Sequence, residues 1–356
     1  MARTFLSRSS YFRSMTSSLA AFRWLALLLL LFEPRLLCLA VAQQSPSIPH
    51  SADPSGVTFH STSNLDLVDV IAMNSDSRRP DDTLTRDDFR IFDNGRAVPV
   101  KTFDTGAATR PLALWFVVQC AMKDWINEGS GLFRGRVNLL TPALHHLDRA
   151  DTIAVAHWCD DGQSKLDLLP TSDANAAAVA IEQVLTPTFD PPSHDRPGEL
   201  ALQTTLQLIV DSTHSLPHET VPVLIFLYGD YSAMARSEAD HLVNELLGSS
   251  CIAFGLRDTQ SPHFHSIFGQ QGSIANYFAT QTGGQYLSVS PEAYAAGLEQ
   301  ILDQLHFRYE LSFRPQALDG KRHKLRVTLT SAAENAHRGI CLRYRTAYIS
   351  VPKVSR

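Results

Sequence analysis

The sequence predicts an α/β fold: a doubly wound, mostly parallel sheet inserted between N- and C-terminal β segments that together form a small β-sandwich-like module. Three observations predict it. Unbroken apolar runs, "LALWFVV" at 112–118 and "VPVLIFLYG" at 221–229, read as strands covered on both faces. Segments with helical apolar spacing follow such runs, and strand–helix alternation builds a parallel sheet. Both ends of the chain instead alternate apolar and polar residues. Each end supplies only about three strands, fewer than the roughly seven of an independent sandwich, so the two ends are expected to pack together.

In chain order, residues 1–42 read as a signal peptide. Arg3, Arg8, Arg13 and Arg23 precede "WLALLLLLF", and Ala40-Val41-Ala42 supplies a small-x-small cleavage site. The rival is an uncleaved anchor. Glu33, Pro34 and Arg35 divide the apolar run, leaving neither half at the roughly 18 residues of a spanning helix. Residues 43–56 are a Pro/Ser-rich linker.

Residues 57–105 form the N-terminal β segment. "LDLVDVIAM" is a strand carrying Asp66 and Asp69. "LTRDDF" is a short turn with Thr85 placed to cap it. "FRIFDNGRAVPVKTF" is a hairpin, because Asn94-Gly95 tolerates the positive φ angles of a tight turn. The α/β domain spans 110–305. A helical pattern covers 132–149, "DTIAVAHW" is the second strand, and "SKLDLLP" is a short third one beside it. Helices are predicted at "DANAAAVAIEQVL" with Asp173 as cap, at "ELALQTTLQLIVDS", at "SEADHLVNELLGSS" ending at Gly248, and at "PEAYAAGLEQILDQL" with Pro291 in its first turn. Residues 306–351 close the chain with "FRYELSFRP", "LRVTLT" and "GICLRYRTAYIS" as three strands.

The chain has 356 residues, 44% hydrophobic and 19% charged, with a net charge of −5. A nucleic-acid binder would carry a basic excess or stripe, and this chain has neither. No Gly-x-Ser-x-Gly elbow is present, and "HETVP" lacks the second histidine of a zinc-protease helix. The glycines of "GSGLFRG" start about ten residues too late for a dinucleotide loop. His263 and His265 are alternate residues of a loop without an identifiable third ligand, and His157 in its apolar strand reads as a hydrogen-bonded core histidine. No cofactor is expected.

Four cysteines follow the leader. Cys120 and Cys159 fall just past strands expected to be neighbours. Adjacent strands lie about 4.8 Å apart, near the Cα separation a disulfide tolerates. They are therefore a candidate disulfide, the alternative being two separate buried thiols. Cys251 and Cys341 are expected to be free.

The order "LTRDDFRIFDNGRAVPVKTF", "PLALWFVV", "VPVLIFLYGD", "FRYELSFRP", "KLRVTLT" and "RYRTAYIS" resembles the von Willebrand factor A-like domain proteins described from Acidobacteria, across nearly the whole mature chain. The resemblance implies a von Willebrand factor A fold and a secreted or envelope protein, usually assigned to protein binding or adhesion. It also implies a divalent cation held by Asp-x-Ser-x-Ser after the first strand, a Thr on a second loop and an Asp after the fourth strand. A hard cation needs such oxygen ligands. Here Gln119 stands for the Asp, Ala121 and Lys123 for the two Ser, Glu199 lies near the Thr position, and Tyr228 replaces the last Asp, with Asp230 two residues late. No metal ligand carries over, and no metal is expected.

The expectation is a secreted or periplasmic, envelope-associated, non-enzymatic protein-binding domain that has lost its metal site. Its partner is an unknown protein, not nucleic acid, and it meets a membrane only through an uncleaved N-terminal segment. The candidate partner-binding residues are Gln119, Lys123, Asp160, Tyr228 and Asp230, at the carboxyl end of the sheet where loops gather. The alternatives are an extracytoplasmic enzyme using that crevice, or a purely structural envelope protein.

Overall fold

The computed structural model describes residues 65–75, 77–106, 109–120, 140–148, 150–159, 162–185, 198–213, 215–217, 219–227, 234–259 and 273–351. The predicted signal peptide, the linker and the start of the N-terminal β segment lie outside these residues.

The chain begins with β1 (Asp66–Asn74), a 3-10 turn (Arg86–Asp88), β2 (Phe89–Asp93), β3 (Arg96–Val98) and β4 (Phe103–Thr105). The α/β portion follows: β5 (Leu112–Gln119), α1 (Thr141–Leu144), β6 (Thr152–Trp158), β7 (Ser164–Thr171), α2 (Ala174–Leu185), α3 (Gly198–Thr213) and β8 (Val221–Leu227). It continues through α4 (Arg236–Gly248), β9 (Ile252–Asp258), α5 (Ile274–Thr282), β10 (Tyr286–Val289), a 3-10 turn (Pro291–Ala293) and α6 (Tyr294–His306). The end is β11 (Tyr309–Phe313), β12 (Arg322–Leu329), α7 (Ser331–Ala336), β13 (Ile340–Tyr344) and β14 (Ala347–Ile349).

The central sheet runs β10-β9-β8-β5-β6-β7. Counted from β5, that is the 3-2-1-4-5-6 order of a doubly wound sheet. β5 pairs in parallel with both β6 and β8, so it occupies the middle. Alternate residues of β5 serve opposite layers. Leu114, Phe116 and Val118 pack with Ile181 of α2 and Ile301 of α6, whereas Trp115 and Val117 pack with Leu206 of α3, Val243 of α4 and Phe278 of α5. Covering both faces is what makes the run apolar throughout.

β7 departs from the parallel rule and pairs antiparallel with β6, with register shifts around Val155. The connection is too short for a parallel crossover. Gly162, at φ 93°, donates to Cys159 O at 3.0 Å, and Cys159 N–H donates to Gln163 O at 2.9 Å, closing a hairpin.

The flanking strands form two further four-stranded sheets, β13-β1-β11-β4 and β14-β12-β2-β3. Each joins strands from opposite ends of the chain: β1 pairs β11 from Asp66↔Phe313, and β2 pairs β12 from Asp93↔Leu325. Val68, Val70, Tyr309, Leu311 and Phe313 from one sheet share a core with Phe89, Ile91, Leu325 and Val327 from the other.

This β portion is fused to the α/β portion within one compact unit, 62–356. Ile71 and Met73 of β1 belong to a central-sheet core, as does Ala347 of β14 on the other face. A buried ionic group completes the joint. Arg308 Nε donates to Asp69 Oδ1 at 3.0 Å and Nη2 to Glu310 Oε1 at 2.8 Å; its remaining donors reach the carbonyls of Leu305 and Arg110, each at 2.6 Å. Arg110 pairs with the same carboxylates, at 3.1 Å to Glu310 and 3.2 Å to Asp69. Two cations therefore neutralise two anions where β1, β11, α6 and the entry to β5 meet.

Several local expectations change. "GICLRYRTAYIS" is two strands: β13 lies beside β1 and β14 beside β12, because Arg345 and Thr346 carry the chain from one sheet to the other. The hairpin after Asn94-Gly95 forms with φ 47° and 83°, but Pro99 cannot donate to a ladder, and Phe103–Thr105 joins the other sheet. α4 does end at Gly248, but the left-handed residue of its cap is Ser250, φ 55°. Cys251 N–H bonds Leu246 O at 2.9 Å and Ser250 N–H bonds Leu247 O at 3.3 Å, a Schellman arrangement, and Arg345 Nη1 donates to the Ser250 hydroxyl at 2.9 Å. At the first turn Thr85 is the N-cap as expected, and Asp88 completes a capping box, its carboxylate accepting from the Thr85 N–H at 2.7 Å and hydroxyl at 2.8 Å. Asp173 caps α2 as expected, accepting from Asn175 N–H at 3.0 Å and Ala176 N–H at 3.1 Å. Helix α7 was not foreseen; Thr330 caps it by accepting from Ala333 N–H at 3.3 Å.

Candidate functional site

In a doubly wound sheet the crevice lies where successive connections leave to opposite sides, at the carboxyl ends of the strands. Here that point is between β5 and β8, above Gln119 and Leu227. Gln119 is the last residue of β5 and opposes Trp158 of β6. It is 2% exposed, so it forms floor rather than surface, and its Nε2 finds no hydrogen-bond partner among the described residues. A buried amide donor left unpaired costs about 1–3 kcal/mol.

The sequence-predicted residues Lys123, Asp160, Tyr228 and Asp230 lie outside the described residues, as do Ala121, His263, His265 and "GSGLFRG". Glu199 falls in the first turn of α3. Of the five candidate partner-binding residues, the structure thus places Gln119 alone.

Cys120 and Cys159 are joined by a disulfide, with Cα atoms 4.9 Å apart. Parallel pairing of β5 and β6 brings their ends together, and Cys120 N–H donates to Trp158 O at 3.0 Å. Cys251 and Cys341 are free; Cys251 is buried, and that burial pushes its thiol pKa far up, which keeps it an inert packing group.

His157 precedes Cys159 by two residues and so leaves the strand on the same face. Its Nδ1 meets Asp167 Oδ2 of β7 at 2.6 Å, and Lys165 Nζ approaches the other carboxylate oxygen at 3.5 Å. Sequence reading singled out His157 as a hydrogen-bonded core residue but not its partner. The β6–β7 hairpin could have suggested one, since Asp167 lies ten residues on in an adjacent strand. On the opposite face, Thr205 of α3 bridges Ser164 Oγ at 2.7 Å and Ala201 O at 2.9 Å, tying α3 to the same corner.

A second titratable group lies at the other end of the sheet. Asp151 Oδ1 accepts from Leu112 N–H at 2.8 Å, and Oδ2 accepts from Asp148 N–H at 3.1 Å and contacts His306 Nε2 at 3.1 Å. Burial alone would raise the Asp151 pKa. The bonds from His306, Leu112 and Asp148 outweigh it and hold the carboxyl below its ordinary 3.8. Asp148, Asp151 and His306 are within metal-binding reach of one another, yet both Asp151 oxygens already have partners, so this cluster is a clamp between β5, β6 and α6.

No family model matches the chain, and no curated protein matches it. Among solved structures it is similar to a von Willebrand factor type A protein from Catenulispora acidiphila, at 10% identity over 81% of this chain and 75% of that one, with a TM-score of 0.40. It is also similar to proximal thread matrix protein 1 from the mussel byssus, at 11% identity over 60% of this chain and 50% of that one, TM-score 0.42. A third is an aerotolerance-related membrane protein from Bacteroides fragilis, at 13% identity over 54% of this chain and 98% of that one, TM-score 0.38. At these scores the overlays add nothing to the strand order and register given above.

Proposed function

We propose that this chain is a von Willebrand factor A-like, non-enzymatic protein-binding domain that has lost the cation site of its fold, carried on a small β-sandwich-like module. The division into a β segment at 57–105, an α/β domain at 110–305 and a β segment at 306–351 belongs to the same proposal. The observation that carries it is Gln119. At the switch point of the sheet, where a hard cation would be held best by a carboxylate, the chain presents a buried amide whose donor has no hydrogen-bond partner among the described residues. A neutral amide lacks the negative charge with which an Asp would hold the ion.

Recognition then runs through ordinary side-chain contacts from the loops around that point, with Lys123, Asp160, Tyr228 and Asp230 as the contact residues and Gln119 supporting them. The location we propose is outside the cytoplasm, in the envelope or secreted, on the strength of the N-terminal segment and the disulfide. No helix among the described residues is long and apolar enough to cross a membrane.

The test is calorimetric titration of the protein with Mg²⁺ and Mn²⁺, together with partner capture from the native envelope with and without chelator. The expected results are no heat of binding and capture indifferent to chelator. Substitution of Lys123 and Asp230 by Ala should abolish capture at unchanged melting temperature. Stoichiometric Mg²⁺ binding, or capture lost on chelation, would overturn the metal-free reading.

A further inference from the structure

Three nitrogen and sulfur donors converge at the ends of β5 and β6. The Sγ atoms of Cys120 and Cys159 and an imidazole nitrogen of His157 all lie within 4.8 Å of one another. The strand geometry brings them together. His157 and Cys159 are alternate residues of one strand, and Cys120 is delivered from the next strand by parallel pairing. Both cysteines are 2% exposed, and the His157 side chain is 12% exposed.

The second feature is the orientation of the imidazole. Asp167 engages Nδ1 at 2.6 Å. A carboxylate accepts, so Nδ1 carries the hydrogen and Nε2 is the nitrogen left to face a metal. Lys165 in turn approaches the far oxygen of Asp167 at 3.5 Å. A disulfide has no need of an oriented imidazole beside it. A metal-ligating histidine does: its second nitrogen is almost always bound to a carboxylate or carbonyl that fixes the tautomer and raises its basicity.

We propose that Cys120, Cys159 and His157 form a binding site for a Zn²⁺-class ion when the disulfide is open, with Asp167 as the positioning residue for the imidazole. Opening consumes a dithiol reductant. The dithiol gives two electrons and two protons, the Cys120–Cys159 S–S bond breaks to two thiols, and the reductant closes to its own disulfide. Zn²⁺ then displaces the two thiol protons as the thiolates bind, and Nε2 of His157 supplies the third donor. A tetrahedral ion with Zn–S of about 2.3 Å and Zn–N of about 2.0 Å requires these donors to settle roughly 3.5–3.8 Å apart, so the two sulfurs must separate once their bond is broken and the imidazole must close on them. The fourth position is left for water or an incoming side chain. The chemistry differs from that of the missing hard-cation site, since thiolate and imidazole select borderline and soft metals. The same residues thus occupy two exclusive states, bridged without metal or reduced with it.

The experiment uses the full chain carrying Cys38→Ser and Cys341→Ser, so that other accessible thiols do not contribute. It is reduced with dithiothreitol, freed of reductant by anaerobic gel filtration, and titrated with Co²⁺ and then Zn²⁺. The expected result is one Co²⁺ per chain with a thiolate-to-cobalt charge-transfer band and the ligand-field bands of a tetrahedral ion, both erased by Zn²⁺. The oxidised chain should show neither. Cys159→Ser should remove the charge-transfer band, and Asp167→Asn should keep it while weakening affinity about 10–100-fold. A reduced chain without the band, whether folded or unfolded by circular dichroism, overturns the proposal. So does a band of full intensity in Cys120→Ser, or equal binding by the oxidised chain.

Discussion

Replacing Arg308 with Met tests whether the buried ionic group holds the β portion to the α/β portion. Arg308 is 1% exposed and spends its donors on Asp69, Glu310 and the carbonyls of Leu305 and Arg110. Methionine fills most of the volume but supplies no charge. Asp69 and Glu310, with side chains 6% and 4% exposed, would then share Arg110 alone, leaving one buried negative charge uncompensated and two carbonyls without donors. Breaking a buried pair in this way costs about 3–5 kcal/mol. A folded unit of about 300 residues has an unfolding entropy near 0.6 kcal/mol/K, so the melting temperature should fall by about 5–8 °C. Urea unfolding followed by circular dichroism measures the loss directly. The decisive control adds Glu310→Gln to Arg308→Met, which leaves Arg110 and Asp69 as a balanced pair. Removing the stranded anion should recover most of the loss, because the remaining charges are again compensated. If the double variant is no more stable than the single one, lost packing rather than unbalanced charge explains the effect, and the reasoning fails.

The remaining predictions concern smaller parts. Replacing both Cys120 and Cys159 with Ala frees a loop spanning 39 residues of sequence. It should destabilise the fold by up to about 4 kcal/mol, read as a lower urea midpoint, and an unchanged midpoint would show that the bond does not form in solution. Tyr309→Phe keeps a buried ring but deletes a hydroxyl that donates to Asp81 O at 2.8 Å and accepts from Leu84 N–H at 3.0 Å. A loss of about 1–3 kcal/mol is expected by thermal denaturation. Asp151 has a folded-state pKa held below 3.8, so its contribution is full above that value and is lost as pH falls through the depressed one. In Asp151→Asn the stability at neutral pH should drop and the acid limb of the stability–pH curve should flatten; an acid limb identical to that of the parent would remove Asp151 from the account.

Much of the strand content was legible from local pattern. "LALWFVV" is unbroken because β5 has neighbours and helices on every side, and "LRVTLT" alternates because β12 buries Leu325, Val327 and Leu329 and leaves Arg326 exposed and Thr328 half-buried. The adjacency of Cys120 and Cys159 followed from placing two consecutive strands side by side. The end of α4 at Gly248 was legible, whereas the left-handed Ser250 of its cap and the break between β13 and β14 were not. Arg345, 95 residues further along the chain, donates to the Ser250 hydroxyl and marks where β13 stops and β14 begins.

The amino-acid order alone determined most of the strands and helices, the tight turn at Asn94-Gly95, and an uncharged Gln119 at the end of β5. These are properties of neighbours along the chain, where period and turn chemistry act. Only the tertiary structure decided that β7 runs against β6, that the two chain ends interleave in two sheets, that Arg308 and Arg110 neutralise Asp69 and Glu310, and that His157, Asp167 and the two cysteines meet. Those contacts join residues far apart in sequence, and no local pattern encodes a partner that arrives only when distant strands pair.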